Sequence, residues 1–203
     1  MTKMRLGVFG GTFNPIHFGH LHIAQEFARM LGLSQVLFVP TATPPHKDAM
    51  DLAPAADRFE LCRMAVRDHP FCRVNDTEIR RGGKSYTVDT LRILTEQYPD
   101  TRLFLLMGED MFLTMQTWRE PEKIWQMADI GAARRSGDPG YELYLHQEYL
   151  ERLGARAHIC PISFLPISST MVREKAAKGE SLAGLVPPPV ERYIKEHGLY
   201  RRA

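Results

Sequence analysis

Short apolar runs alternate with amphipathic stretches along almost the whole chain, and this alternation constrains the fold more than any other feature. The runs at 4–9, 35–40 and 102–108 have the length of buried strands. After each run, directly or beyond a loop, apolar residues recur at helical spacing, as they do from Leu21 to Leu31. Repeated strand–helix units predict an α/β fold with a doubly wound, mostly parallel sheet of the Rossmann-like type.

The same patterns predict the individual elements. We expect strands at 4–9, 35–40, 72–79, 102–108, 129–135 and 155–161, and helices before Gly32 and at 55–68, 85–98, 121–128, 141–154, 168–178 and 187–197. The run at 102–108 is the most apolar, which predicts a central strand. Polar residues interrupt the run at 72–79, which predicts an edge strand. Ser85 is the expected N-cap of its helix.

Composition excludes several classes of protein. The 203 residues suffice for one domain over 1–203, with C-terminal helices at about 168–200 packed on it. A net charge of +2 is too small to indicate a nucleic-acid surface. No apolar run approaches the roughly 20 residues of a membrane span, and we expect no leader peptide. Three cysteines without a CxxC pair favour buried thiols in a reducing cytoplasm over a zinc site or disulfides.

The stretch after the first strand reads GVFGGTFNPIHFGH, from Gly7 to His20. Its glycine spacing does not match the GxGxxG of dinucleotide-binding folds, and it lacks the GxxxxGK of a Walker A loop. Gly10 and Gly11 still allow the backbone to approach a ligand closely. His17 and His20 lie three residues apart at a predicted helix start, where backbone N–H groups and the helix dipole favour an anion. We therefore predict a polyphosphate site.

The chain resembles the HxGH nucleotidyltransferase superfamily in two motifs. His17–Phe18–Gly19–His20 occupies the HxGH positions, and ISSTMVR at 167–173 is similar to the superfamily's ISSTxxR motif. The second motif opens a predicted helix more than 140 residues after the first. The resemblance implies that both motifs meet at one nucleotide.

Further stretches are similar to the bacterial nicotinate-nucleotide adenylyltransferase family, which joins nicotinate mononucleotide to the AMP of ATP. They are TPPHK at 43–47, SYTVDTL at 85–91, the segment 107–118 and the ending at 186–200. The resemblance covers essentially the whole chain and implies an enzyme of NAD biosynthesis.

This resemblance implies roles for individual residues. The expected ATP-binding residues are Gly10, Gly11, Thr12, Phe13, Ser168, Ser169 and Thr170, and the expected catalytic residues are His17, His20 and Arg173. The expected residues for nicotinate mononucleotide are Lys47, Tyr86, Thr87, Asp110, Trp118 and Arg134. The sequence does not separate Arg134 from Arg135 as the phosphate ligand. We expect His22 to have a structural role.

Asn14 affects the prediction of how Mg²⁺ is bound. Many relatives have Asp at this position, and a neutral amide is a poor ligand for magnesium. We expect no metal-binding residues in the protein, and Mg²⁺ as a cofactor held mainly by the ATP phosphates and water.

Several alternatives stay open at this point. The substrate could instead be nicotinamide mononucleotide, phosphopantetheine or glycerol phosphate, and the chain could be a non-catalytic nucleotide sensor or a fragment of a tRNA synthetase. The expected partners are ATP and nicotinate mononucleotide, without nucleic acid or membrane. A homo-oligomer is compatible with the sequence.

Overall fold

The computed structural model describes residues 3–43, 52–135 and 140–201. Its centre is a sheet of six strands in the order β3-β2-β1-β4-β5-β6, and every neighbouring pair is parallel. The strands are β1 (Met4–Gly11), β2 (Gln35–Pro40), β3 (Cys72–Val74), β4 (Thr101–Gly108), β5 (Ala128–Arg135) and β6 (Ala157–Ile162). The predicted α/β fold is confirmed, with β4 central and β3 at an edge.

The strand order locates the site. From β1 the chain builds outward to β3 on one side, and β4 then starts the other half of the sheet beside β1. The order therefore reverses between β1 and β4. In open sheets of this kind ligands bind beyond the carboxyl ends of the strands at that reversal. Gly10 and Gly11 are the last residues of β1, so the first sequence motif begins there.

Helices cover both faces of the sheet. They are α1 (Phe18–Leu31), α2 (Ala55–Ala65), α3 (Thr77–Arg81), α4 (Thr87–Gln97), α5 (Glu109–Phe112), α6 (Pro121–Met127), α7 (Tyr141–Arg152), α8 (Ser169–Ala177) and α9 (Pro188–Glu196). Helix α1 ends as predicted at Gly32, whose φ of 57° is a left-handed conformation that glycine adopts without strain.

Strand alternation separates two apolar clusters. Phe9 of β1 and Leu106 of β4 face one cluster, which also holds Phe27 of α1, Val172 of α8 and Val190 of α9. The opposite faces of β1 and β4 pack against α4, α5, α6 and α7. Helices α1 and α8, which carry the HxGH and ISSTMVR motifs, lie on one face of the sheet. Helix α4, which carries the SYTVDTL stretch, lies on the other face.

Two local predictions are wrong. Residues 77–81 form helix α3 instead of continuing the strand, because Asn75 ends it: its Oδ1 accepts the N–H of Thr77 at 2.9 Å and turns the backbone. Ser85 does not cap α4. The N-cap is Tyr86, and the Ser85 Oγ accepts the N–H of Ala42 at 3.1 Å instead.

The three cysteines are thiols in the structure. Cys62, Cys72 and Cys160 are free and buried, and burial raises the pKa of Cys160 to about 11. Of the helices in the described ranges, none is long and apolar enough to cross a bilayer.

Candidate active site

The two glycines at the end of β1 differ in their surroundings. A Cβ on Gly11 would lie 2.9 Å from the Phe13 ring, so packing requires glycine there. A Cβ on Gly10 would meet no protein atom within 4 Å. Gly10 therefore borders open space at the carboxyl edge of the sheet, where a ligand can approach the backbone.

The Phe13 side chain anchors the loop between β1 and α1 in the core. Its side chain is 3% exposed and packs edge-on against the His20 ring, with 5.1 Å between the ring centroids. Its φ of 46° is a conformation that non-glycine residues seldom adopt. Since the ring is in the core, only the backbone of Phe13 can face a nucleotide.

The histidine pair stands at the start of α1. His17 is the N-cap and His20 is the third residue of the helix. Their ring centroids are 3.7 Å apart, and the backbone N–H of His17 donates to Nδ1 of His20 at 3.3 Å. Because Nδ1 of His20 accepts, its Nε2 carries the proton in the neutral imidazole and is the ring donor.

Burial determines the charge of His17. The residue is 6% exposed, and burial lowers its pKa to about 4. His17 is therefore a neutral hydrogen-bonding group at neutral pH. Its Nδ1 is buried at the first turn of α1. A Cβ on Gly19 would lie 2.9 Å from that nitrogen, which explains glycine at the third position of HxGH.

The second motif contacts the first directly. The hydroxyl of Ser169 donates to the carbonyl of Pro15 at 2.9 Å, and Nη1 of Arg173 donates to the carbonyl of Asn14 at 2.9 Å. Ser168 is the N-cap of α8, and its side chain accepts the N–H of Met171. The structure therefore brings together two motifs that are about 150 residues apart.

Thr170 completes this side of the site. Its Oγ1 accepts a long hydrogen bond of 3.4 Å from Nη2 of Arg173, and its side chain is exposed. Arg173 therefore spans from the loop before α1 to the first turn of α8. The first turn of α8, which includes Thr170, therefore lies beside the loop that precedes α1.

A second group of predicted residues lies on the α4 face of the sheet. Tyr86 caps α4 and Thr87 is its first residue, so the N–H of Thr87 has no carbonyl partner within the helix. Trp118 and Tyr86 are half-buried against the same apolar cluster. The guanidinium of Arg119 lies 4.8 Å from the Tyr86 ring centroid. The other tryptophan, Trp125, is a core residue.

The two arginines at the end of β5 are on opposite faces. Arg134 follows the alternation of Ala132 and Ile130, which face the cluster under α4. Arg135 faces the other way, with its guanidinium 5.8 Å from the Phe164 ring. Arg134 therefore shares the face of Tyr86 and Trp118, a separation that the sequence could not provide.

Three other residues complete the comparison with the sequence. Asp110 is exposed on α5, directly after β4. His22 lies outside the histidine pair, and its Nε2 is 2.6 Å from the carbonyl of Ser163. Lys47 lies outside the described residues.

Sequence reasoning missed Arg58. This residue is fully buried in α2, and its guanidinium donates to backbone carbonyls at the rim of the site. A signal was present in the sequence, since Arg58 occupies the first position of the apolar i, i+3, i+4, i+7 pattern that Leu61, Cys62 and Ala65 complete.

Comparisons with known proteins agree with this geometry. A family model described as cytidylyltransferase-like matches residues 8–175. The "Probable nicotinate-nucleotide adenylyltransferase" of Thermomicrobium roseum is 40% identical over 97% of this chain and 92% of its own length. The protein of the same name from Symbiobacterium thermophilum is also 40% identical, over 98% and 96%.

A solved structure shows the same fold. The Plasmodium falciparum nicotinic acid mononucleotide adenylyltransferase complexed with NaAD matches with a TM-score of 0.75 at 18% identity, over 97% of both chains. The fold is thus shared at low identity, whereas the curated relatives are similar in sequence over nearly their full length. The chain belongs to the cytidylyltransferase-like family and, within it, to the nicotinate-nucleotide adenylyltransferases.

Proposed function

We propose that this protein transfers the AMP of ATP to nicotinate mononucleotide, giving nicotinate adenine dinucleotide and pyrophosphate in NAD biosynthesis. The observation that carries the proposal is the pair of hydrogen bonds from Ser169 and Arg173 to Pro15 and Asn14. These bonds bring the starts of α1 and α8 to one edge of the sheet, so that a triphosphate is held from two sides.

ATP binds along this edge. The backbone from Gly10 through Phe13 accommodates the nucleotide, since Gly10 borders open space. His17 and His20 contact the α- and β-phosphates. The N-terminus of α8, with Ser168, Ser169 and Thr170, and the guanidinium of Arg173 hold the pyrophosphate that leaves.

The reaction is a direct displacement. An oxygen of the mononucleotide phosphate attacks the α-phosphorus of ATP in line, and the bond from that phosphorus to the bridging oxygen breaks. The electron pair leaves with pyrophosphate. The attacking oxygen is already deprotonated, so no general base is needed. Catalysis then rests on positioning and on hydrogen bonds that stabilise the growing charge. A neutral His17 suits this role, because it donates without taking part in proton transfer.

Nicotinate mononucleotide binds on the α4 face. Its ring carboxylate accepts from the first-turn N–H groups of α4, those of Thr87 and Val88, while Tyr86 and Trp118 contact the pyridine ring. Asp110 accepts from a ribose hydroxyl, and Lys47 and Arg134 hold the phosphate. The amide analogue is disfavoured because it is uncharged and would place an NH₂ donor against backbone donors.

Magnesium is proposed as the cofactor, carried by the ATP phosphates and water. Among the residues that the structure describes, no group of three His, Cys, Asp or Glu side chains could hold a metal ion. The amide oxygen of Asn14 already accepts the N–H of Ala53 at 3.1 Å. When bound, the ion neutralises phosphate charge.

A substrate panel tests the function. The protein is incubated with Mg²⁺–ATP and, separately, nicotinate mononucleotide, nicotinamide mononucleotide and phosphopantetheine, and pyrophosphate is measured. We expect release chiefly with nicotinate mononucleotide. Faster release with another acceptor would assign that acceptor instead, and ATP binding without release from any acceptor would favour a nucleotide sensor.

The remaining proposals concern the setting of the protein. We propose that residues 1–203 form one domain, supported by Val172, Val190 and Ile194 of the C-terminal helices, which lie in the same apolar cluster as α1. The free, buried thiols support a cytoplasmic location. Self-association remains a prediction, which sedimentation of the purified protein tests.

A further inference from the structure

Arg58 combines complete burial with three hydrogen bonds to the main chain. Its Nε donates to the carbonyl of Ala53 at 2.9 Å, its Nη1 to that of Thr12 at 2.7 Å and its Nη2 to that of Ala42 at 2.9 Å. The side chain is 0% exposed. In the part of the chain that the structure describes, no carboxylate lies within ion-pair distance of it.

The three acceptors belong to separate parts of the site. Thr12 is in the loop proposed for ATP. Ala42 follows β2, and Ala53 precedes α2. One planar group therefore joins the loop proposed for ATP to the end of β2 and to the start of α2.

The hydrogen bonds continue on both sides of Arg58. Toward the ATP side, the N–H of Ala53 donates to the Asn14 side chain, and the Asn14 carbonyl accepts from Arg173. Toward the mononucleotide side, the N–H of Ala42 donates to Oγ of Ser85. Ser85 directly precedes Tyr86, the N-cap of α4.

The chemistry of this position requires arginine. Burying a cation is costly unless its donors are satisfied, and an apolar side chain would pack in α2 without that cost. A guanidinium presents donors in several fixed directions in one plane, whereas lysine has a single compact ammonium group. The three carbonyls lie at three separate positions in the chain, and the spread donors of a guanidinium reach all of them.

We propose that Arg58 is a positioning residue that holds the loop proposed for ATP in register with the end of β2 and, through Ser85, with the start of α4, so that the mononucleotide phosphate is aligned with the α-phosphorus of ATP. This inference rests on the proposed function for the identity of the two substrates. Arg58 touches neither substrate and acts through the backbone of Thr12, Ala42 and Ala53.

The test compares Arg58→Lys with Leu61→Ala. Leu61 is one turn further along the same buried face of α2 and is also 0% exposed, so its truncation destabilises the helix without touching the loops. For Arg58→Lys we expect kcat/KM to fall about 10²-fold, because misplacement of about 1 Å is enough for such a loss. KM should rise for both substrates. In Leu61→Ala only the folded fraction should fall, with each KM unchanged.

A second variant keeps the proposal testable if Arg58→Lys does not fold. Ser85→Ala removes the hydroxyl that accepts from Ala42 and that also hydrogen-bonds the buried Glu78, both on the α4 side, so we expect KM to rise for the mononucleotide and to stay unchanged for ATP. Unchanged KM values in Ser85→Ala, or in a folded Arg58→Lys, would overturn the positioning role.

Binding separates this inference from the proposed function. If the wild-type protein binds a non-hydrolysable ATP analogue but transfers no AMP to any acceptor, the proposed function fails, and the Kd of that analogue then tests Arg58. A Kd raised about 10-fold or more in Arg58→Lys, against an unchanged Kd in Leu61→Ala, would support the role. An equal Kd in Arg58→Lys and wild type would refute it.

Discussion

The two halves of the site are built differently. On the side proposed for ATP, two short motifs from opposite ends of the chain contact each other through Ser169–Pro15 and Arg173–Asn14. On the side proposed for the mononucleotide, Tyr86, Trp118 and Arg134 come from three separate elements that share one face of the sheet. Among the described links between the halves are backbone groups that Arg58 and Ser85 hold.

This difference follows from the role that we propose for each half. Phosphate charge is recognised by helix N-termini and a few donors, and adjacent residues at a helix start can supply these. Recognition of one acceptor requires a shaped surface with contacts from several directions. The reacting phosphates therefore depend on compact motifs, whereas the choice of acceptor depends on scattered residues. Variants on the two sides should accordingly differ in kind: ATP-side variants should lower kcat or raise the KM of ATP, and α4-face variants should change acceptor preference.

The largest expected effect is on the ATP side. His20→Ala should lower kcat about 10²- to 10³-fold, the usual loss for one donor to developing charge, with the melting temperature little changed. The matched control is His22→Ala, which should keep wild-type turnover, because His22 contacts the Ser163 carbonyl outside the pair. Near-normal turnover in His20→Ala, measured by pyrophosphate release, would remove His20 from the mechanism.

A smaller effect is expected from Gly19→Ala. The added Cβ would lie 2.9 Å from Nδ1 of His17 and push the ring away, so kcat should fall roughly 10-fold to 10²-fold. Helix propensity favours alanine by about 1 kcal/mol, which offsets part of the strain. Wild-type kcat in a well-folded Gly19→Ala would show that the position of the His17 ring does not matter.

Gly10→Ala sharpens the same contrast. Its Cβ would meet no protein atom within 4 Å, so the free protein should keep its stability. If ATP occupies that space, the KM of ATP should rise while the KM of the mononucleotide stays constant. Steady-state kinetics with each substrate varied in turn measures both, and an unchanged KM for ATP would place the nucleotide elsewhere.

On the α4 face, Thr87→Pro should change acceptor preference. Proline is well tolerated at the first helical position and lacks an N–H, and the extended backbone of Tyr86, with φ −99° and ψ 130°, suits a following proline. We expect kcat/KM for nicotinate mononucleotide to fall about 10-fold, the loss of one charge-assisted hydrogen bond, and the acid-over-amide ratio to fall with it. Thr87→Ala keeps the N–H and should keep the ratio. An equal ratio in both variants would contradict this carboxylate site.

The smallest effect is a pH dependence of stability. Burial lowers the pKa of His17 from 6.5 to about 4, so the unfolded chain takes up a proton at a higher pH than the folded protein does. The stabilisation from His17 is complete above the unfolded pKa and is lost as pH falls toward 4. At about pH 5.5 the loss should be about 1 kcal/mol. Urea unfolding of wild type and His17→Asn should show a shallower decline below about pH 6.5 in the variant, and parallel declines would contradict a neutral, buried His17.

The sequence predicted most of the fold because apolar periodicity reports burial directly. The central place of β4 and the end of α1 at Gly32 followed from local patterns. The strand predicted at 72–79 ends at Val74 because the side chain of Asn75 turns the chain. Ser85 does not cap α4 because its hydroxyl accepts a distant backbone group, the N–H of Ala42. The motif residues of the ATP side could be predicted, since they are adjacent in the chain. The face of Arg134 and the role of Arg58 depend on contacts between distant segments, which no local pattern encodes.

The central claim is that the protein holds two nucleotides in line and supplies no nucleophile of its own. The stereochemistry at the α-phosphorus tests this most directly, with ATP that carries a chiral α-phosphorothioate and nicotinate mononucleotide as acceptor. A single in-line displacement predicts a dinucleotide with inverted configuration. Retention would indicate two displacements through an adenylated side chain, with His17 or His20 as the candidate, and would contradict the account.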